Sequence, residues 1–546
     1  MCRCQIMSPI LAGIGTLVLG LSLVPAASSG PLPGSGLVSR RVPGAIQPEW
    51  RHADFSRFQP RAVIKVRGQG AKAENTWLVP AAGERSDTDF WLLRYPNWTP
   101  AVLNSVGKPA PLTYDPQLKG RYDIILNMRA VDPVSAIGIR FADEEAVDVV
   151  RTAETTKALH YDQDVPWRTD QVLDDRSLVI ETVGERVYLQ GITFVPSNEG
   201  VQTRRVATDH VTVARRKGRH FAFPGITRLP GGQLAVVYRD GVAHVCPFGQ
   251  IALVRSGDNG RTWGPPETVV DTPSDERDPS IHTLPDGNTL VTFNTWNSWM
   301  STPSLKEKYA EQSARIGRDG FNTYTGRLLV LSSDGGKTWG ERRSLPAFSP
   351  HGPVVLPSGE LFYISSRTVK PRRLIQLWQN SPEAETWTRW AVVAESEWEP
   401  STDQRVPVFG EPHLAALPNG TWLASLRVNS DGYVRQCRST DGGRTWTKPK
   451  RLGVRGFPQH VLPLRDGRLL MTYGYRYQPY GVRAVLSRDN GVTWDLADEI
   501  ILRMGAPSWD LGYPVSLELD DGLVLTVYYT NDASGDCFIE GAFYRP

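Results

Sequence analysis

Six segments of the chain set a distinctive residue directly before a proline: Phe223-Pro224, Asp278-Pro279, Ser349-Pro350, Glu411-Pro412, Phe457-Pro458 and Tyr513-Pro514. A glycine follows each proline by eight or nine residues, at Gly232, Gly287, Gly359, Gly420, Gly467 and Gly522. Constant spacing to a turn glycine places the six pre-proline residues at one structural position, repeated around the fold. A second ring lies seven residues beyond each turn or close to it: Arg239, Asn294, Ser366 or Arg367, Arg427, the stretch Tyr473 to Arg476, and Tyr528 or Tyr529. Scaffold requirements would fill equivalent positions with similar residues. These differ, and an Asp, a Glu, several Tyr and several Arg facing one funnel point to a ligand site. Carboxyls can carry acid–base work, and arginines can bind an anion. Histidines lie close by: His351, His413 and His460 within two residues of inner prolines, and His244 after Arg239-Asp240.

The elements that must hold these residues are strands. Each turn glycine sits in a segment such as Leu229-Pro-Gly-Gly-Gln-Leu or Leu417-Pro-Asn-Gly-Thr-Trp-Leu, a Gly-containing turn between apolar runs, as a β-hairpin needs. Four octets of the pattern Ser-x-Asp-x-Gly-x-Thr-Trp recur after the hairpins: SGDNGRTW from Ser256, SSDGGKTW from Ser332, STDGGRTW from Ser439 and SRDNGVTW from Ser487. Asp and Ser can bond the turn backbone, Gly takes a positive φ, and Trp wedges beneath, so the octets read as scaffold. A calcium site at each is disfavoured because one carboxylate rarely suffices. Six hairpins in a repeating array predict a six-bladed β-propeller over residues 208–546, each innermost strand starting at its proline. Upstream, alternating stretches such as RYDIILNMRAV and RVYLQGITFV predict an antiparallel β-sandwich over 45–200, a carbohydrate-binding or spacer domain, after a linker at 31–44. The fold class is therefore all-β. An insertion over 297–324 has helical character around Ser304 to Ala314 and is placed to form a rim or lid.

Arg3, an apolar run from Ile10 to Val24 and the small residues Pro25-Ala-Ala-Ser-Ser predict a signal peptide over 1–30 and a secreted or periplasmic protein. Beyond it remain Cys246, Cys437 and Cys537, without the spacing of a disulfide framework or a metal site. A net charge of +3 offers nothing to a nucleic acid or a membrane surface. No cofactor and no metal are expected.

Octets of this kind on a six-bladed array resemble the sialidase superfamily, whose propellers carry Asp-box or BNR repeats. The resemblance covers residues 208–546. It implies a Tyr nucleophile activated by a Glu, an Asp acid/base and three Arg that clamp a carboxylate. Glu411 in GEPHLAALPNG fits the activating Glu, and Arg427 follows as one clamp Arg. Arg483 in GVRAVLSRDNGVTW fits another, and Tyr513 in DLGYPVSLELDDG fits the nucleophile. The first unit departs from the pattern: Phe221-Ala-Phe-Pro224 has Ala222 where the family carries its central Arg. The acid position is open between Asp240 and Asp278, and Arg277 precedes its own proline by two residues in the second unit. The chain is thus expected to be a divergent member rather than a true sialidase.

The reading is a glycoside hydrolase that removes a terminal acidic or modified sugar from a glycan. Tyr513, Glu411 and Asp240 or Asp278 would be catalytic. Arg427, Arg483, Arg277, Arg239, His244, His413, His460 and Tyr473 would bind substrate. Two alternatives stay open. One is a polysaccharide lyase acting on uronic-acid glycans through His and Tyr. The other is a non-catalytic glycan-binding propeller.

Overall fold

A computed structural model of the protein describes residues 36–43, 51–52, 58–59, 76–78, 103–106, 110–129, 136–151, 162–183, 188–197 and 201–546, the last apart from 302, 348, 381–385, 398–406, 430–431 and 478. The expected signal segment lies outside the described residues. Among the described residues from 209 onward the strands follow one another in six antiparallel sets, the first and the sixth joined in one sheet by a parallel pairing of His220 with Cys537. The first runs His220–Arg228, Leu234–Gly241, Gln250–Ser256, Glu267–Val270, and the second Glu276–Thr283, Thr289–Thr295, Gly326–Ser332, Arg343–Ser344. The third is Val354–Val355, Leu361–Val369, Arg372–Asn380, Thr388–Glu397, and the fourth Phe409–Ala416, Trp422–Val428, Tyr433–Ser439, Lys450–Arg455. The fifth is Gln459–Pro463, Leu469–Tyr475, Gly481–Ser487, Ile500–Met504. The sixth has three strands, Gly512–Glu518, Val524–Asn531 and Cys537–Tyr544, and takes its outer strand, Asp209–Ala214, from the other end of the array.

The second strand of each set is apolar on both faces because both faces are covered. Val237 and Leu253 of the first set share a cluster with Ile281 and Val291 of the second. Leu290 and Leu329 of the second pack with Leu361 and Tyr363 of the third. The same holds for the third with the fourth, the fourth with the fifth and the fifth with the sixth. Val527 and Ile539 of the sixth pack with Val236 and Val254 of the first, returning the array to its start. The fold is propeller-like and all-β. Apolar burial of this kind stabilises by roughly 25 cal/mol per Å² removed from water, and no single set could supply it alone.

The hairpin glycines Gly232, Gly287, Gly359, Gly420, Gly467 and Gly522 all take φ between 79° and 87°, a region that favours glycine. The octets form hydrogen-bonded turns. In all four the serine Oγ accepts from the glycine N–H at 2.8–3.0 Å. The threonine Oγ1 donates to the aspartate at 2.6 Å. Gly443 has no room for a side chain, since a Cβ would lie 2.8 Å from Leu377 and 2.9 Å from Trp422. Ser439→Ala orphans the buried Gly443 N–H and is expected to cost about 1–3 kcal/mol, read as a melting point several degrees lower. A chelator should leave the wild-type melting curve where it was.

Two details differ from the sequence expectation, and the helical character expected of the insertion is present. Four inner strands begin two to four residues ahead of their prolines rather than at them, and bulge there. The expected linker at 31–44 holds a strand, Leu37–Pro43, paired with Val201–Ala207, which in turn runs parallel to Ile500–Met504 of the fifth set. It is ordered there because Leu37 and Val42 are buried. The insertion holds two helices, Pro303–Lys308 and Ala310–Tyr324, and its Trp299 and Ile316 pack on Val245 of the first set's loop. Between residues 51 and 196 two antiparallel sheets enclose one core, Ile124, Leu126 and Phe194 of one meeting Ile139, Phe141 and Ile180 of the other.

Candidate active site

Four of the bulges have the same backbone signature. Phe223, Asp278, Glu411 and Tyr513 take φ of 57°, 53°, 37° and 50°. Positive φ is costly for any residue with a Cβ, and a following proline disfavours helical backbone further. Strain repeated at four equivalent positions persists only where the surroundings over-determine it, as they do at functional sites. The bulges turn these four side chains out of the ladder and toward one another.

Tyr513 donates its hydroxyl to Glu411 Oε2 at 3.0 Å, and Arg427 Nη1 donates to the same oxygen at 2.5 Å. Arg427 Nη1 also reaches the Tyr513 hydroxyl at 3.4 Å, while its Nε is held by Asn429 at 2.7 Å. Burial works against the charge on Glu411, but Arg427, with Arg476 and the Tyr513 hydroxyl, outweighs it and holds the carboxyl below its usual range. Burial and the Glu411 charge push the Tyr513 phenol well above its usual value, with Arg427 opposing. Asp278 behaves in the opposite way to Glu411. Burial raises it to about 6, against the pull of Arg277 3.4 Å away, and the negative charge of Glu411 raises it further. One carboxyl is thus favoured as a carboxylate beside a phenol, while another holds its proton up to about pH 6.

Aromatic rings and arginines surround this group. The Phe223 ring meets Tyr513 edge-on at 4.7 Å, Tyr529 at 5.4 Å and His244 at 5.7 Å. Arg277 is stacked over Phe223 at 5.1 Å and over Trp296 at 5.2 Å. Arg476 bonds the Tyr529 hydroxyl at 3.1 Å and the Leu511 carbonyl at 2.9 Å, with its guanidinium 5.5 Å from the Tyr513 ring. Behind Tyr529, Asp510 accepts from its hydroxyl at 2.9 Å and binds His220 Nε2 and His244 Nδ1 at 2.8 Å each.

Among the described residues, His220, His244 and Asp510 have the donor types and closeness for a metal ion, their ligand atoms lying within 4.8 Å of one another. The chemistry fits hydrogen bonding better. A metal-bound imidazole normally donates its second N–H to an acceptor, and the buried His220 Nδ1 has none.

The structure brings Tyr513, Glu411, Arg427, Asp278, Arg277 and His244 to one region. Asp240 is engaged elsewhere, by Arg216 at 2.7 Å and Arg219 at 2.6 Å, so Asp278 is the carboxyl this geometry offers as acid. Arg239 is fully buried, bound to Asp275 at 2.7 Å and to Cys246 Sγ at 3.1 Å. Arg483 and Tyr473 both bind Glu499, Arg483 at 2.6 Å and beneath the Tyr475 ring. Cross-strand pairing of Tyr473 with Arg483 explains this: Arg483 lies on the third strand of its set, away from the bulges. His413 meets His351 edge-on at 5.1 Å and His460 edge-on at 4.6 Å, in a row apart from Tyr513. Sequence reasoning missed Arg476, Asp510 and Phe223 as site residues. Arg476 was bracketed within the second ring, and Phe223 stood in the first, where an apolar residue carried no chemical signal.

Residues 309–526 match the family model of a BNR repeat-like domain. No curated protein matches the chain. Among solved structures, a protein of unknown function from Dyadobacter fermentans is 26% identical, with a TM-score of 0.53 over 62% of this chain and 97% of that one. A Hadza microbial sialidase is 15% identical, with a TM-score of 0.46 over 79% of this chain and 95% of that one. An α-L-arabinofuranosidase from Fusarium graminearum is 15% identical, with a TM-score of 0.42 over 62% and 98%. The BNR repeat-like match over residues 309–526 agrees with the resemblance read from the octets, and the Dyadobacter fermentans structure shares the fold.

Proposed function

We propose that the protein is a secreted glycoside hydrolase acting on a terminal acidic or modified sugar, with the six sets forming a six-bladed propeller behind a β-sandwich domain. One observation carries this reading. Glu411 accepts from both Arg427 and the Tyr513 hydroxyl, while burial raises neighbouring Asp278 to about 6, so that it carries a proton at mildly acidic pH. Asp278 donates that proton to the glycosidic oxygen as the bond to the anomeric carbon breaks. Tyr513 attacks the same carbon and passes its phenolic proton to Glu411. A glycosyl–tyrosine intermediate results; water then attacks the anomeric carbon, giving its proton to Asp278, as the bond to Tyr513 breaks and Glu411 returns its proton to the phenol oxygen. Binding alone would need no such division of protonation states between two carboxyls.

Purified protein should release reducing sugar from a panel of sialosides, hexuronides and pentosides. Because Asp278 must be protonated, kcat/KM should fall about tenfold per pH unit above roughly pH 6, and Asp278→Asn should remove that limb along with most of the rate. An ultraviolet-absorbing unsaturated product would transfer the assignment to a lyase. Silence on every glycan, with binding retained, would leave a binding module.

A further inference from the structure

The four strained positions do not carry four polar groups. Asp278, Glu411 and Tyr513 supply the chemistry, and the fourth is Phe223, 2% exposed and edge-on to Tyr513 at 4.7 Å. The cation behind it, Arg277, is sandwiched between the Phe223 and Trp296 rings. Asp275, itself bound to Arg239, lies 3.5 Å from it and Asp278 3.4 Å from it. Arg427 stands at the Tyr513 hydroxyl, 3.4 Å away, and the face that Phe223 turns to the Tyr513 ring is apolar. Resting on the hydrolase reading, we infer that Phe223 selects a sugar whose anomeric carbon carries hydrogen, an aldosyl residue, and rejects one whose anomeric carbon carries a carboxylate.

An anomeric carbon within reach of Tyr513 and Asp278 has four substituents: the ring oxygen, C2, the leaving oxygen and one more. With a hydrogen as the fourth, C–H packs against the phenyl ring. With a carboxylate there, a charge would be pressed on a buried ring that offers no donor, and unpaired buried charge is strongly disfavoured. Arg427 and Arg476 remain for an anionic group elsewhere on the sugar, so an acidic substrate on this reading is a hexuronide rather than a 2-ulosonate.

The test pairs turnover with binding. The 4-methylumbelliferyl α-sialoside is compared with matched hexuronides, hexosides and pentosides, and calorimetry compares 2,3-unsaturated sialic acid with hexono-, hexurono- and pentonolactones. At least one aldose-derived ligand is expected to bind about a hundredfold or more tighter than the sialic acid analogue, with turnover confined to aldosides. Phe223→Leu keeps an apolar wall and should preserve the discrimination. Phe223→Arg, if it melts like wild type, should narrow it at least tenfold. Comparable or tighter binding of the sialic acid analogue by the wild type overturns the inference, as does binding of neither class. If no glycoside turns over, the hydrolase reading fails by itself, and the two binding measurements still judge Phe223.

Discussion

Glu411→Gln and Tyr513→Phe are each expected to lower kcat by about 10²–10⁴-fold, the range for losing a positioned proton acceptor or nucleophile. Both act on one hydrogen bond, Tyr513 Oη to Glu411 Oε2 at 3.0 Å. The phenol is buried and pushed well above its usual range, so it cannot be the attacking phenolate unless a neighbour takes its proton. A glutamine cannot. Combining the two substitutions should therefore cost little more than either alone, because each disables the same unit. The two differ in their effect on folding. Tyr513→Phe removes one hydroxyl, whereas Glu411→Gln leaves the buried Arg427 without its carboxylate, and losing one partner of a buried pair is destabilising. Tyr513→Phe is thus the cleaner kinetic probe. Trapping with a 2-fluoro glycosyl fluoride and mapping the labelled peptide identifies the attacking atom. A label on Tyr513 supports the tyrosine mechanism, and a label on Glu411 replaces it with a two-carboxylate one.

Stability is expected to fall steeply between about pH 6.5 and pH 4.5. Burial lowers His244, His282 and His351 to about 4 and His460 to about 3, and takes His413 well below its usual value. Each contributes stability that is complete above the unfolded value of 6.5 and is lost as pH falls toward the folded one, because the unfolded chain binds the proton first. Glu276, raised by burial to about 8, and Asp278, raised to about 6, work in the other direction and gain stability over the same window. Five histidines against two carboxyls leave about three protons taken up on unfolding, on the order of 4 kcal/mol per pH unit. The physical cause is burial of the ring nitrogens, of which His282 Nε2, His351 Nε2 and His460 Nδ1 have no hydrogen-bond partner. A proton on any of them would be a charge with nothing to pair it. Urea unfolding at pH 7, 6 and 5 should show the midpoint dropping at each step, and His460→Gln should make the drop shallower. Equal midpoints at pH 7 and pH 5 would count against neutral buried histidines.

Much of this molecule was legible because its signals are local. A hairpin glycine needs positive φ whatever surrounds it, and an octet closes its own hydrogen bonds within eight residues, so turns and repeat order follow from short stretches. The pre-proline ring was legible too, since equal spacing from a turn puts Asp278, Glu411 and Tyr513 at one position without any knowledge of packing. What the ring does was decided in three dimensions. Bulges at Phe223, Asp278, Glu411 and Tyr513 shift the register and turn side chains that spacing could only align. The choice of Asp278 over Asp240 follows from which arginines reach each carboxyl, and neither Arg216 nor Arg219 occupies a position that recurs from unit to unit. Arg476 rather than Arg483 stands beside Tyr513 because the two lie on different sides of a hairpin, and Glu499 draws Arg483 to the outer strand. The opposite shifts of two like carboxyls are set by burial and by the nearest guanidinium. The guanidinium is local, Arg427 for Glu411 and Arg277 for Asp278, whereas the burial arises only when separate sets pack together.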